Sequence, residues 1–166
     1  MTQRYTSRAM AKKDKRGKEQ SGPATIQNRK ARHDYEVFDT FEAGIVLIGP
    51  EVKSVYKGNV QLTDGYCQVE NGELWLKGVY IAPYEQAGRW NVEERRPRKL
   101  LMHKSEILRL KAKSQEKGLT IVPLKVYFTH GKAKVQIGLA RGKRAYDKRE
   151  AIAKKDERRA RERGQE

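Results

Sequence analysis

Cysteine, histidine and long apolar runs are scarce in this chain of 166 residues, and each scarcity excludes a class of protein. The single cysteine, Cys67, cannot form an internal disulfide, so a reducing cytoplasm is the expected compartment. The longest apolar run, Ile45 to Ile48, is far shorter than the ~20 residues that a membrane span needs. The N-terminus is charged and has no apolar segment, which predicts that no secretory signal is present.

The sequence also lacks the motifs of common catalytic and metal sites. Its three histidines are too scattered for a metal template and Cys67 has no second thiol nearby, so neither a metal nor another cofactor is expected. It has no glycine loop for phosphates and no nucleophile elbow. Carboxylates such as Glu42 and Glu51, or Asp34 and Asp39, can be imagined as an acid and a base, but acids at strand and helix starts are common. No catalytic residue is therefore predicted.

Positive charge is what the chain has in excess. The 37 Lys and Arg residues against 21 Asp and Glu give a net charge of +16 and a pI of about 10.0. Residues 1–33 carry +8, residues 34–140 carry +3 and residues 141–166 carry +5, so most of the charge lies at the two ends. A near-neutral centre between basic arms is typical of a protein that lies against a polyanion, with RNA, DNA and an anionic membrane surface all open at this point.

Composition divides the chain into three parts: a basic arm (1–28), a folded body (29–140) and a basic tail (141–166). The arm has almost no apolar residues, so we expect it to be disordered when free, with order beginning near Tyr35. The tail consists of helix-forming residues with little to bury. A helix of that kind is marginal alone in water, so we expect it to form only on a partner.

The pattern of the body predicts a mainly β fold with two to three short helices. A long strand is expected at 37–48, with a bulge or bend at Gly44. Two hairpins are predicted, with strands at 65–70 and 73–83 and at 119–129 and 132–140, and turns at Asn71–Gly72 and His130–Gly131. Helices are predicted to start at Gly49-Pro50-Glu51, with Gly58 as the cap, and to span about 104–117, and 84–99 is predicted to be a loop. Five or six antiparallel strands with short helices favour a small β-barrel of the oligonucleotide-binding (OB) type. Within it, alternation around Cys67 predicts a thiol of the core.

Two basic segments border this body. NRKARHDY at 28–35 carries Arg29, Lys30 and Arg32, and RRPRKLLMHK at 95–104 carries a second group of cations followed by Leu100, Leu101 and Met102, of which at least one is expected in the core. Two basic flanks on one body favour a groove for a nucleic-acid backbone.

The segment GLARGKRAYDKR at 138–149 places five cations around Tyr146. Cations neutralise phosphates and an aromatic ring stacks on bases, so this composition favours RNA binding, although a solubilising tail would look similar.

Four segments together resemble the small protein B family, also called SsrA-binding proteins. They are NRKARHDY (28–35), DTFEAGIVLIGPEVKSVYKG (39–58), RRPRKLLMHKSEI (95–107) and GLARGKRAYDKR (138–149). The resemblance implies an OB-type barrel that binds transfer-messenger RNA (tmRNA, or SsrA RNA) and accompanies it to stalled ribosomes for trans-translation. It implies a tail that enters the vacant messenger channel and decoding region of the small ribosomal subunit. The implied partners are thus tmRNA and ribosomal RNA, with no membrane, and the free protein is expected to be a monomer.

The resemblance also assigns roles to residues of this chain. The RNA-contacting glutamate of the family corresponds to Glu42, and the leucine and polar residue of its RKLL motif correspond to Leu101 and His103. With the basic residues around them, the expected tmRNA-binding set is Arg29, Lys30, Arg32, Glu42, Lys99, Leu101 and His103. The expected set for the ribosomal decoding region is Gly142, Tyr146, Asp147, Lys148 and Arg149.

Two other functions remain open at this point. A basic structural protein of the ribosome would co-sediment with resting ribosomes whether or not tmRNA is present. An RNA-processing enzyme would need a converging polar pocket, which the sequence does not supply.

Overall fold

The computed structural model describes residues 22–116 and 118–164. Its elements, in chain order, are β1 (Ile26–Gln27), α1 (Arg29–Asp34), β2 (Tyr35–Ile45), α2 (Gly49–Lys57), β3 (Val60–Gln61), β4 (Tyr66–Glu70), β5 (Glu73–Lys77), β6 (Tyr80–Ile81), a 3-10 helix (Glu85–Trp90), β7 (Arg98–Leu101), α3 (Lys104–Ser114), β8 (Leu119–Thr129), β9 (Lys132–Gly142) and α4 (Ala145–Arg163).

Six of the strands form a closed ring. Their order is β8, β4, β5, β7, β2 and β9, and β9 pairs again with β8, so the sheet returns to its start. Every pairing in the ring is antiparallel. The predicted fold class, a small antiparallel barrel with short helices, is confirmed.

Both predicted hairpin turns are present and have the expected backbone geometry. Asn71 and Gly72 have φ values of 50° and 75°, and His130 and Gly131 have φ values of 49° and 72°. Two consecutive residues with positive φ match the right-handed twist of the flanking strands, which is why Asn-Gly is favoured there. The local sequence therefore fixes the register of β4 against β5 and of β8 against β9.

The first predicted helix and the loop differ in how well the sequence anticipates them. Helix α2 begins at Gly49 and ends at a left-handed Gly58 with φ of 84°, as predicted. The segment 84–99 was expected to be a loop, but it contains a 3-10 helix and the start of β7, which pairs with both β5 and β2. Helix α3 starts at Lys104 as expected and ends at Ser114.

The hydrophobic core fills the inside of the ring. Leu74, Leu76, Val135 and Ile137 are fully buried there. Cys67 belongs to the same cluster, and burial raises the pKa of its thiol well above the ordinary value, which confirms a core thiol.

The sequence predicts a bulge or bend at Gly44, but the bulge in β2 lies at Phe38. The pairing with β9 shifts between Val37 and Asp39, while Gly44 continues the register opposite Leu101. A Cβ atom at Gly44 would lie 3.4 Å from the Cβ atom of Leu101, so this glycine admits a close neighbour instead of bending the strand.

Order begins earlier than predicted, which corrects the expectation of disorder up to residue 28. Strand β1 pairs with β8, and the buried Asn28 amide donates to the carbonyls of Leu62 (3.0 Å) and Pro123 (2.9 Å). Its side-chain oxygen accepts from the Ala31 amide and so starts α1. Residues 1–21 of the predicted arm lie outside the described part of the chain.

The tail also departs from the predicted boundary. Strand β9 continues through Gly142, and α4 then spans Ala145–Arg163. That the tail becomes helical only on a partner stays a prediction. Within the described residues, no helix is long and apolar enough to cross a membrane.

Candidate nucleic-acid interface

Three predicted RNA-contacting residues, Glu42, Lys99 and Leu101, lie on the outer face of the ring. Leu101 of β7 pairs with Gly44 of β2, and Lys99 and Glu42 each lie two residues earlier on their own strands. Because side chains alternate along a strand, these positions share one face. Leu101 is 55% exposed, so it offers an apolar side chain on this outer face, whereas its neighbour Leu100 points into the core.

His103 continues the same line of residues. Strand β7 ends at Leu101, but His103 keeps an extended backbone, with φ of −63° and ψ of 139°, before α3 begins. The pairing of β2 with β7 ends at Gly44–Leu101, and the exposed His103 follows two residues later. The structure therefore places Glu42 and Leu101 on one face of the ring, with His103 just beyond Leu101 at the start of α3.

The carboxylate of Glu42 is held by two neighbours. It accepts hydrogen bonds from the Lys134 ammonium, at 2.6 Å, and from the Tyr127 hydroxyl. These bonds lower the pKa of Glu42 below its ordinary value. Desolvation, followed by the contact with Glu42, raises the pKa of Tyr127 to about 12. A fixed anionic acceptor of this kind can receive a hydrogen bond from a base amino group or a 2′-hydroxyl.

Lys125, Tyr127 and Lys134 were missed by the sequence reasoning and extend the surface across β9 and β8. Tyr127 pairs with Lys134, and the Lys125 ammonium lies 4.8 Å from the centre of the Tyr127 ring. The polar positions of the alternating pattern in these two strands carry the signal that could have identified them. We call the set Lys99, Leu101, His103, Glu42, Lys134, Tyr127 and Lys125 the outer strip.

Helix α1 sits on the same outer face, beyond the bulge. Its Ala31 packs on Val122, Leu124 and Ala140. A groove of about 420 Å³ leads from Arg32 along Thr40 to Gln136, the cross-strand partner of Glu42. Arg32 is therefore connected to the outer strip.

The other two cations of α1 are placed differently. Lys30 lines a separate groove with Asp64 and Tyr66, and Arg29 is exposed to solvent. Of the predicted basic triplet, only Arg32 lines the groove that leads to Glu42.

Part of the second basic cluster, expected to help form a groove for a nucleic-acid backbone, is internal, which corrects that expectation for Arg96 and Arg98, whereas Arg95 is 49% exposed. Arg98 is fully buried and donates to Glu51 (2.8 Å) and to the Val79 and Glu94 carbonyls (both 2.9 Å). Arg96 donates to both oxygens of the same carboxylate, at 3.0 and 2.5 Å. Lys99 remains on the outer face, paired with Glu73 at 2.5 Å.

Glu51 is thus the centre of an internal ion network. Burial by itself would raise the pKa of Glu51, but the hydrogen bonds from Arg96, from the Ile48 amide and from Arg98 outweigh it and lower the pKa. A saturated, buried carboxylate cannot serve as the acid or base imagined from the sequence. In the described part of the chain, no group of three or more His, Cys, Asp and Glu residues is placed to hold a metal ion.

The tail begins at the opposite end of β2 from Leu101. Gly142 pairs with Tyr35, the first residue of β2, whereas Gly44 near its far end pairs with Leu101, about 30 Å away along the strand. The outer strip and the start of the tail therefore lie toward opposite ends of β2, whereas the predicted tmRNA-binding residues of α1 lie at the same end as the tail.

The root of the tail is fixed to α1. The Lys143 amide donates to the Asp34 carbonyl at 2.8 Å, and the Lys148 ammonium lies 3.6 Å from the Asp34 carboxylate. A hydrogen bond from His33, with help from Lys148, lowers the pKa of Asp34 despite a desolvation cost. Asp147 and Arg149 are exposed on the first turns of α4. The side chain of Tyr146 lies outside the described part of the structure.

A closed antiparallel ring with a charged outer face and cationic terminal helices defines a small β-barrel of the kind that binds nucleic acid. The chain matches the family model described as SmpB protein over residues 25–166, and it belongs to that family. The resemblance inferred from its four motifs is confirmed.

Relatives and a solved structure agree with this assignment. The chain is 57% identical to the SsrA-binding protein of Desulforudis audaxviator, over 78% of this chain and 85% of that protein. It is 55% identical to the SsrA-binding protein of Thermobifida fusca, over 93% and 96% of the two chains. A chain of the structure described as "tmRNA-SmpB: a journey to the center of the bacterial ribosome" is 54% identical, with a TM-score of 0.64 over 77% of this chain and 94% of that one.

Proposed function

We propose that this protein is an RNA-binding adaptor that binds tmRNA and delivers it to stalled ribosomes for trans-translation, working in the cytoplasm and without catalysis of its own. Membership of the SmpB family carries the proposal, because relatives of more than half identity are SsrA-binding proteins. The similar solved chain comes from a structure whose description joins tmRNA, SmpB and the ribosome.

The outer strip is the proposed tmRNA-binding surface. Leu101 offers an exposed apolar side chain on which an unstacked base can lie, and Glu42 offers an acceptor held in place by Tyr127 and Lys134. His103, next in the line, can stack or donate. Arg32 and the lysines of the strip, together with the more distant Arg29 and Lys30, are suited to phosphates, which hold the RNA without reading its sequence.

The tail is the proposed ribosome-binding part. Residues of α4 after its first turns are exposed almost throughout and are rich in Lys and Arg, so the helix has little of this protein to pack on. We assign Gly142, Tyr146, Asp147, Lys148 and Arg149 to the vacant messenger channel and decoding region. The root of the tail is fixed at Asp34 and would set the direction in which the tail leaves the barrel.

Sequencing the RNA that co-purifies with the tagged protein from cells tests this function. We expect one dominant tmRNA species, and its loss when Glu42 and Leu101 are both replaced by alanine in a chain that keeps its circular dichroism spectrum. A broad mixture of ribosomal RNA fragments that is unchanged in the double variant would instead indicate a structural protein of the ribosome.

A further inference from the structure

Phe38 is an aromatic residue that the bulge of β2 pushes out of the regular sheet. The register with β9 shifts between Val37 and Asp39, so Phe38 has no partner on the facing strand, and it is 52% exposed. A bulge often redirects a side chain next to a functional site.

The redirected side chain lines a groove at the rim of the barrel. This groove of about 250 Å³ is formed by Phe38, Leu119, Leu139, Lys113, Glu116 and Arg141. The guanidinium of Arg141 lies 5.5 Å from the centre of the Phe38 ring. On its other side, the Arg141 side chain passes Gly118 at ordinary van der Waals distance.

The positive charge at this groove comes from Arg141 and from the start of the tail, because Lys113 is engaged by Asp39. Two of the residues that line it are cations and one, Glu116, is an anion. Asp39 lies beside the groove but is paired with Lys113 (3.4 Å) and Arg109 (3.7 Å), and Glu36 is the cross-strand partner of Arg141. The next residues of the chain, Lys143 and Arg144, add positive charge where the tail leaves.

The groove does not belong to the outer strip. Leu119 and Leu139 pack with the cluster inside the ring, whereas Val37, the residue before the bulge, packs under α1 on the outer face. An RNA held on the outer strip therefore lies on the other side of the sheet from Phe38. The rim instead adjoins Arg141 and Gly142, from which the tail departs.

We propose that the Phe38 groove binds one unstacked base of ribosomal RNA. The Phe38 ring is the stacking surface, the apolar rim of Leu119 and Leu139 contacts the base, and Arg141 lies beside a phosphate. This inference rests on the proposed function, because the rim meets ribosomal RNA only if the tail beside it does. It adds to that function a contact made by the body of the protein.

A photoreactive residue tests this contact in the full-length protein. p-Benzoylphenylalanine is placed at position 38, the protein is bound with tmRNA to stalled ribosomes, and the irradiated products are mapped. We expect a crosslink to a nucleotide of small-subunit ribosomal RNA. The matched control carries the same residue at Leu108, which is 62% exposed on α3 but does not line the groove. Crosslinks to tmRNA, to a ribosomal protein only, or no stronger than those from position 108 would overturn the proposal.

Substitution supplies an independent readout. Phe38→Ala should reduce peptide tagging on stalled ribosomes about tenfold, and Phe38→Tyr should restore most of it because the stacking face returns. Both variants should bind tmRNA within twofold of the unaltered protein. Full tagging by Phe38→Ala would refute the groove while leaving the proposed function intact, whereas failure of the unaltered protein to bind tmRNA would refute the proposed function itself.

Discussion

Two basic segments of similar composition differ in how many of their cations are engaged inside the protein. RRPRK at 95–99 and RGKRAYDKR at 141–149 look equally suited to RNA in the sequence. In the structure, Arg96 and Arg98 of the first segment are engaged by the buried Glu51 and by backbone carbonyls. In the second segment, Arg141, Arg144 and Arg149 are exposed. The number of cations is thus a poor guide to a binding surface.

The difference is decided by what each cation meets inside the protein. A buried charge is tolerated only when it is paired and fully hydrogen-bonded, and Glu51 at the start of α2 provides that partner for Arg98. In the tail, Lys148 is paired with the partly exposed Asp34, while Arg141, Arg144 and Arg149 stay exposed and available for phosphates. A basic segment next to a strand of the core can be assigned to RNA only when no buried acidic residue pairs with its cations.

The largest effect should come from removing the buried arginine. Arg98→Ala leaves Glu51 with one less partner and the Val79 carbonyl unsatisfied, and we expect a loss of about 3–5 kcal/mol of unfolding free energy. Urea unfolding measures this loss. The matched control is Arg149→Ala on the exposed tail, which should stay within about 0.5 kcal/mol of the parent. If the two variants were equally stable, the claim that Arg98 is held inside the protein and Arg149 is not would be contradicted.

The second-largest effect is expected on tmRNA binding by the outer strip, the proposed tmRNA-binding surface. Leu101→Ala and Glu42→Ala should each weaken tmRNA binding by about 1–3 kcal/mol, as expected for the loss of a stacked or bidentate base contact. Filter binding checks this, with circular dichroism to confirm the fold. Leu108→Ala, which removes another exposed leucine, should bind normally. A folded Glu42/Leu101 double variant with unaltered affinity would place the tmRNA site elsewhere.

A smaller and later effect is expected in the tail. Tyr146→Ala should leave tmRNA affinity unchanged and slow peptide transfer on stalled ribosomes about tenfold, because one base stack is lost. Tyr146→Phe and Tyr146→His keep a π-face and should be milder. A single-round transfer assay distinguishes these cases. If phenylalanine were as damaging as alanine, stacking would not be the contribution of this residue.

Acid should lower the stability of the protein mildly, because it protonates Glu51, the carboxylate that pairs with Arg96 and Arg98. The folded-state pKa of Glu51 is lowered, so its stabilising effect is complete above the unfolded pKa of about 4.5 and is lost as the pH falls through the folded pKa. We expect the contribution of Glu51 to the unfolding free energy to be constant from pH 7 to 5 and to decrease below pH 5. Glu51→Gln should be less stable at pH 7 and should lose less on acidification. Equal acid sensitivity of the two proteins would mean that other carboxylates dominate.

Local signals explain why most of the fold could be predicted. Asn71–Gly72 and His130–Gly131 set two hairpins, and Pro50 with Gly58 sets α2, because each depends on backbone geometry within a few residues. The bulge at Phe38 could not be predicted, since it arises from the fit of β2 to β9 across the ring. Asn28 likewise orders the chain through contacts with residues far away in sequence.

The candidate site was predictable only in part. Glu42, Leu101 and His103 were assigned through resemblance, and the register of β2 and β7 places Glu42 and Leu101 on one face. Tyr127 and Lys134 were missed because a strand pattern gives the face of a residue but not its cross-strand partner. Arg98 was misassigned for the same reason, since nothing near it in the sequence indicates Glu51 as its partner.

Deletion of the tail after Arg144 tests most directly the claim that the body binds tmRNA and the tail acts on the ribosome. This cut keeps β9 and the Lys143–Asp34 hydrogen bond intact, which a cut after Ala140 would not. We predict that the shortened protein binds tmRNA within about twofold of the full chain and fails to support tagging of stalled peptides. A parallel loss of both activities in a folded protein, or full tagging without the tail, would contradict this division.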